Sequence, residues 1–522
     1  MKISRPGCGG LTQIQPAALV LLLAIGGMAN GQRASAAHSD QSTMHQHYDA
    51  AYRFQASGEF AQADVEHTRF LVAALDHIAD GYANTGDYAH AAPTYDEALT
   101  LAPADFGLLI DYAGAALDAR DPRKAKSLLQ AAMDLDTKTM TGQQKAEVRR
   151  MLGRSLRALG DTKASIAQFQ AAIALDPGIE SQCDLGDAVL ELDGHEAAAA
   201  IFQKVVSRFG DTAAVRMRIG RIYALGGFPE GAIQEFKQAV ARDYKMPGVH
   251  YSLGAAYMGN SERGFPQAEA EFRKELALHP NDTFSYPQLG HIALRRRDYH
   301  EAEIDFKHTQ ALNPLDADNL MDLGKLYMET ARPSDAEAAF RKAIALTVDP
   351  ARNYYAIERA HYQLGRLLLA SGNTSEGERE LHISEELLSQ SELQDESTLS
   401  GQPVTRSPLE RTRVATPQEA EELKTFAKQV GPLIAGSYNN LGVHAAMRGE
   451  FAKAAGHFQL AAKWNPTLPG VDSNWGRAAF AAQECAQAIG PLARSLEAHP
   501  SDPEVRAMLD QCRGALSITP KP

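Results

Sequence analysis

The chain has 522 residues, too many for one ordinary domain, so several domains or a repeat array are expected. Hydrophobic residues make up 44% and charged residues 22%, which excludes disorder throughout, and the single apolar run excludes a membrane bundle. A formal charge of −13 argues against a nucleic-acid partner, and four cysteines exclude a disulfide-dense scaffold.

The first segment reads as a targeting signal. Lys2 and Arg5 precede an apolar run from Ala17 to Ala29, and Ala34-Ser35-Ala36 fits an A-x-A cleavage site. That is the three-part pattern of a secretory signal peptide, expected over residues 1–36. The run is short for a membrane span, which needs about 20 residues. An uncleaved inner-membrane anchor is the alternative, and membrane contact is expected only in that case. Cleavage after Ala36 would take the charge to −16 and leave three cysteines in an oxidising compartment, so a periplasmic or secreted location is expected. Residues 37–47 read as a flexible leader, and His38, His45 and His47 within it read as a polar tail and not a metal site.

From about Tyr48 the chain repeats. The pair Leu-Gly or a close variant occurs at Leu152-Gly153, Leu185-Gly186, Ile219-Gly220, Leu253-Gly254, Leu289-Gly290, Leu323-Gly324, Leu364-Gly365, Leu441-Gly442 and Trp475-Gly476. Most glycine steps are 33 to 36 residues. Twelve residues after the glycine stands a small residue, as at Ala198, Ala232, Ala302, Ala336, Ala454 and Ala488. Four further on is an aromatic: Phe169, Phe202, Phe236, Phe306, Phe340 or Phe458. Proline closes several units, at Pro177, Pro314 and Pro466. Small residues allow close approach of neighbouring segments, an aromatic fills space between them, and proline ends a helix.

This register resembles the tetratricopeptide repeat, a helix–turn–helix unit of 34 residues. The resemblance covers most of Tyr48–Arg513 and implies an all-α, right-handed superhelical solenoid of about twelve units with a C-terminal cap helix from Asp502. The step from Gly365 to Gly442 is 77 residues, so the array is interrupted. We expect a main array over 48–388, a linker over 389–432 with one helix at about 417–430 that Gly431-Pro432 breaks, and a C-terminal repeat pair with its cap over 433–522. A loop bulging from one continuous superhelix is the alternative. Gly259–Pro266 adds two residues between the helices of one unit.

In the family, the first helix of each unit lines a concave face, and residues near the Leu-Gly pair contact ligands. Asn440 and Asn474 match the asparagine found there in peptide-binding relatives, although the other units depart from it. The residue after the glycine gives a second row, in which Arg154, Arg221, Lys325 and Arg366 are cations and His291 can become one. Tyr251, Met258, Met321, Met328 and Tyr362 lie one turn away. Cations beside aromatic and methionine side chains could hold an acidic or aromatic-bearing segment. Ordinary solvated helix positions are the alternative reading. Cys485 and Cys512 fall at the start of one helix and the end of its antiparallel neighbour, so a disulfide between them is expected. Cys183 is left as a packed apolar residue.

No catalytic constellation is present in the sequence. His195-Glu196 and His300-Glu301 lack the second histidine of a zinc-protease helix, and no phosphate-binding loop occurs. No cofactor, metal or enzymatic activity is expected. The reading is a non-catalytic scaffold of the cell envelope that binds an extended or acidic protein segment on its concave face. The alternative is an accessory subunit that positions an enzyme or a polysaccharide or secretion machine at the membrane.

Overall fold

The computed structural model describes residues 31–135, 140–260, 262–346, 354–397 and 417–517. All regular structure in them is helical. Helix α1 (Gly31–Ala56) packs on α2 (Phe60–Asn84), and α2 pairs in turn with α3 (Tyr88–Leu101). Antiparallel hairpins follow: α4 (Phe106–Asp118) with α5 (Pro122–Asp134), α6 (Gly142–Ala158) with α7 (Thr162–Leu175), and α8 (Ile179–Asp193) with α9 (His195–Phe209). Next come α10 (Ala213–Leu225) with α11 (Pro229–Arg242), α12 (Val249–Asn260) with α13 (Phe265–Leu278), and α14 (Ser285–Arg295) with α15 (Tyr299–Leu312). Then α16 (Ala317–Glu329) pairs with α17 (Pro333–Leu346), α18 (Tyr354–Ala370) with α19 (Thr374–Ser397), α20 (Pro417–Met447) with α21 (Phe451–Trp464), and α22 (Val471–Ala481) with α23 (Cys485–Ala498). Helix α24 (Pro503–Ser517) caps the end. No helix among the described residues is long and apolar enough to cross a membrane.

The repeat register explains the packing. A β-carbon added at Gly290 would lie 2.6 Å from Cε1 of the fully buried Phe306, so the first helix of the unit can meet the ring only if it carries no side chain there. The same contact recurs between Gly153 and Phe169, Gly220 and Phe236, Gly324 and Phe340, and Gly442 and Phe458. In two units leucine takes the aromatic's place, Leu381 against Gly365 and Leu492 against Gly476. Each buried ring contributes about 1.5–3 kcal/mol, which no single hairpin could gain alone. The turn inside a hairpin needs a left-handed residue, such as Gly160 at φ 81° or Arg297 at φ 60°. An aspartate then caps the second helix, as Asp161 does by accepting from the Ala164 N–H at 3.1 Å.

A second regularity ties several of the hairpins internally. The residue four before the glycine bonds to the second helix one position before the aromatic. Arg149 donates to Gln168 at 3.0 Å and Arg216 to Glu235 at 2.9 Å, and His361 meets Glu380 at 2.6 Å. His250 and Glu271 make the same pair at 2.6 Å, two residues further apart because of the insertion that forms a short 3₁₀ turn at Glu262–Gly264. His47 and Glu66 repeat it at 2.6 Å. That last pair makes α1 and the first half of α2 a repeat in its own right, so α2 serves two units.

Four expectations about organisation are corrected. The leader at 37–47 belongs to helix α1, because Met44, Tyr48 and Ala51 give that segment an apolar side that packs on α2. Helix α19 runs to Ser397, into the expected linker, and residues 398–416 lie outside the described residues. Helix α20 passes through Gly431-Pro432 to Met447 without a break. Pro432 costs one backbone hydrogen bond, but Val430 and Ile434 on either side are buried in the core and offset it. Finally, the C-terminal repeats neither continue from α19 nor stand apart. Helix α20 lies antiparallel along α2, with Leu423 against Gly81, Phe426 against His77 and His444 against Asp64. Val430, Ile434, Tyr438 and Leu441 thereby join one apolar core with Phe70, Leu71, Leu75 and Tyr95 of the N-terminal units. The apolar run of the expected signal peptide lies outside the described residues, and Gly31–Ala36 open α1.

Candidate functional site

The row after the repeat glycines is a ladder of charge pairs more than a basic stripe. Arg154 is exposed but donates from Nε and Nη2 to both carboxylate oxygens of Asp184 in the next unit, at 3.1 and 3.0 Å. Arg150 reaches the same carboxylate at 3.4 Å. One turn on, Arg157 bonds to Asp187 and to Glu191. Further along, His291 lies 2.6 Å from Asp322, which Lys325 also approaches at 3.3 Å. Burial works to raise the Asp322 carboxyl, but the His291 and Lys325 charges outweigh it and hold it at about 2. The rule is geometric: the residue after one glycine faces the residue two before the next, and where that residue is aspartate the cation is neutralised.

Two cations of the row escape this pairing. Arg221 is exposed and forms no ion pair among the described residues; the position two before the next glycine is Ser252 there, which carries no charge. Arg366 belongs to the last unit of the N-terminal array and lies over the ring of Tyr362, 5.7 Å from its centroid. Tyr362 is 42% exposed, so this pair presents both an open ring and an open guanidinium.

The remaining expected site residues divide. Tyr251 is buried and its ring lies against Phe272 and Phe284, Met321 is buried in the core around Phe340, and Met258 is half-buried against the Phe272 cluster. These three pack within and between repeats and do not line an open surface. Met328 is exposed. Asn474 donates to Asn439 at 3.3 Å, linking two neighbouring first helices. Asn440 is half-buried at the junction of α20 with α2, 3.4 Å from His67 Nε2. Cys485 and Cys512 are joined in a disulfide with their α-carbons 4.9 Å apart, stapling α23 to α24. Cys183 is buried, and burial pushes its thiol up to about 12.

Sequence reasoning did not find the junction of the two chain ends. Glu97 of α3 accepts from the Tyr438 hydroxyl at 3.0 Å, Lys463 Nζ at 2.6 Å and Trp464 Nε1 at 2.7 Å. Asp64 of α2 holds His444 at 2.6 Å and Arg448 at 2.8 Å. Burial works to raise Asp64, but these two partners prevail and its carboxyl lies below the usual range. These residues are more than 340 positions apart, and no local pattern marks them.

Tetratricopeptide-repeat family models match residues 74–108, 110–178, 183–247 and 288–356. No curated protein sequence matches the chain. Among solved structures it is similar to MamA of Desulfovibrio magneticus RS-1, with 23% identity over 35% of this chain and 97% of that one and a TM-score of 0.31. It is also similar to a tetratricopeptide-repeat protein of Parabacteroides merdae, with 15% identity over 49% of this chain and 98% of the other and a TM-score of 0.34. The third is pilF of Pseudomonas aeruginosa, with 17% identity, shares of 42% and 99% and a TM-score of 0.30. The matched models, and a register that sets each repeat glycine from Gly153 to Gly476 against a phenylalanine or leucine, lead to one conclusion: the chain belongs to the tetratricopeptide-repeat family.

Proposed function

We propose that this protein is a non-catalytic scaffold of the cell envelope that holds an extended, acidic segment of a partner protein on its concave face. Tetratricopeptide-repeat proteins serve generally as protein–protein interaction scaffolds and are generally non-catalytic. The observation that carries the acidic specificity is the pair Arg221 and Arg366, exposed and without acid partners in a row whose other basic members, Arg154, His291 and Lys325, lie against aspartates. A preformed helical surface holds such a segment with little ordering of its own side chains. The envelope location rests on the basic, apolar and A-x-A pattern of residues 1–36, with which the Cys485–Cys512 bridge agrees.

The test is a crosslinking pull-down from the envelope fraction of the native host. The natural chain is compared with an Arg221→Glu, Arg366→Glu double variant of unchanged thermal stability. A partner lost only in the variant supports the reading, and partners kept unchanged would remove these two residues as the site. Intact mass of the mature protein checks the location, with a first residue of Ala37 expected. Retention of Met1–Ala36 would favour the membrane-anchored accessory subunit.

A further inference from the structure

The contact between the C-terminal repeats and α2 carries a histidine in an unusual setting. His67 is fully buried between α1, α2 and α20. Its Nδ1 lies 3.1 Å from the Ser437 hydroxyl, and its Nε2 lies 3.4 Å from both the Gln55 amide oxygen and the Asn440 amide nitrogen. Every hydrogen-bond partner is neutral. From α1 the Tyr52 ring also meets it edge-on at 5.5 Å. On α2 itself the nearest acid is Asp64, one turn earlier, and that carboxylate is already committed to His444 and Arg448. On α20 the facing groups are Ser437, Asn440 and His444. The other histidines of the N-terminal array that reach a carboxylate, such as His250 and His361, have a compensating charge built in.

From this geometry we infer that docking of α20–α24 onto α2 is a proton-controlled latch: neutral His67 lets the two ends of the chain close, and protonation of His67 releases the C-terminal repeats. The chain can sustain such a release because, among the described residues, α20 packs on the N-terminal helices chiefly along α2, with α1 and α3 beside it, and has no packed interface with α19. A charged His67 would have to stay in the closed junction without an acid partner, and the neighbouring His444 opposes it further. Burial first and His444 second hold the His67 imidazole down at about 4 in the closed form, against 6.5 for a free imidazole. The sign follows. The stabilisation of the closed form is complete above pH 6.5 and is lost as the pH falls towards 4, by up to roughly 30-fold in the closing equilibrium at pH 5. Release would uncover the apolar side of α20, including Ile434 and Tyr438, and the α2 surface around Phe70 and Leu71.

Hydrogen–deuterium exchange of the full chain at pH 7.5 and pH 5.0, corrected for intrinsic exchange rates, tests this. Amides of 60–75 and 430–447 are expected to exchange at least tenfold faster at pH 5.0, while α14–α17 keep their protection. Equal protection of the junction at both pH values would overturn the latch. His67→Gln keeps a neutral hydrogen-bonding side chain that cannot be charged, so its junction should stay protected at pH 5.0. Acid release in that variant as large as in the natural chain would overturn the role of His67. Should the variant fail to close at pH 7.5, the natural protein still decides by NMR titration of the His67 ring. A midpoint below 5 supports the latch, and one near 6.5 overturns it.

Discussion

Glu97 accepts a hydrogen bond from the indole of Trp464, 367 residues later in the chain, at 2.7 Å. The carboxylate side chain is only 5% exposed and also receives Tyr438 and Lys463, so the most buried acid of the junction is satisfied wholly from the C-terminal repeats. Replacing Glu97 by Ala leaves the Tyr438 and Trp464 donors without their acceptor. We expect a loss of about 1–3 kcal/mol in urea unfolding, with faster exchange in α20. An unchanged midpoint would mean that apolar packing alone holds the junction.

The glycine–aromatic contact sets a reciprocal pair of effects. Gly290→Ala would bring a β-carbon to 2.6 Å from Phe306 and is expected to cost about 1–3 kcal/mol by overpacking. Phe306→Leu alone leaves a partial cavity and is also destabilising. The two changes together should cost less than their sum, because the smaller side chain admits the added methyl group. A double-mutant cycle on thermal unfolding measures this, and strict additivity would show that the two positions are not in contact.

Asp305 lacks the partner that its position has in the hairpins of Arg149, Arg216, His250 and His361. The position that holds arginine or histidine in those hairpins is Tyr286 here, and its hydroxyl turns to the Pro280 carbonyl. One Asp305 carboxyl oxygen is buried without a partner, and burial, aided by Glu301, pushes the group up to about 7. A carboxyl raised in the folded state stabilises the fold below its unfolded value of 3.8, and that contribution is lost as the pH rises towards 7. Asp305→Asn should therefore stabilise the protein at pH 8, on the order of 2 kcal/mol, and much less at pH 5. Thermal unfolding at the two pH values checks it, and an equal shift at both would refute the buried-charge account.

The Cys485–Cys512 bridge closes a loop with a sequence separation of 27. On the chain-entropy model it stabilises the C-terminal end by about 3.5 kcal/mol. A Cys485→Ser, Cys512→Ser variant is expected to lose protection in α23 and α24 first, and reductant should reproduce the loss in the natural chain. Melting curves indifferent to reductant would show that the packing of Val505 and Leu509 suffices.

Residues that recur at a fixed spacing were legible in the sequence. Gly290 with Phe306, Ala302 between them and Pro314 after them state the hairpin locally, because each repeat meets only its neighbours and the same contact must be made many times. The Cys485–Cys512 bridge was readable for the same reason, since two antiparallel helices place their ends without help from the rest of the chain. The charge ladder was half visible. Arg154 was singled out as a cation, but its neutralisation depends on Asp184 facing it across a repeat boundary. What only the tertiary structure decided is where the C-terminal repeats go. Nothing near Pro417 or Pro432 in the chain points to α2, because Leu423, His444 and Trp464 find Gly81, Asp64 and Glu97 through shape and polar complementarity between surfaces more than 340 residues apart, and such complementarity has no period to read.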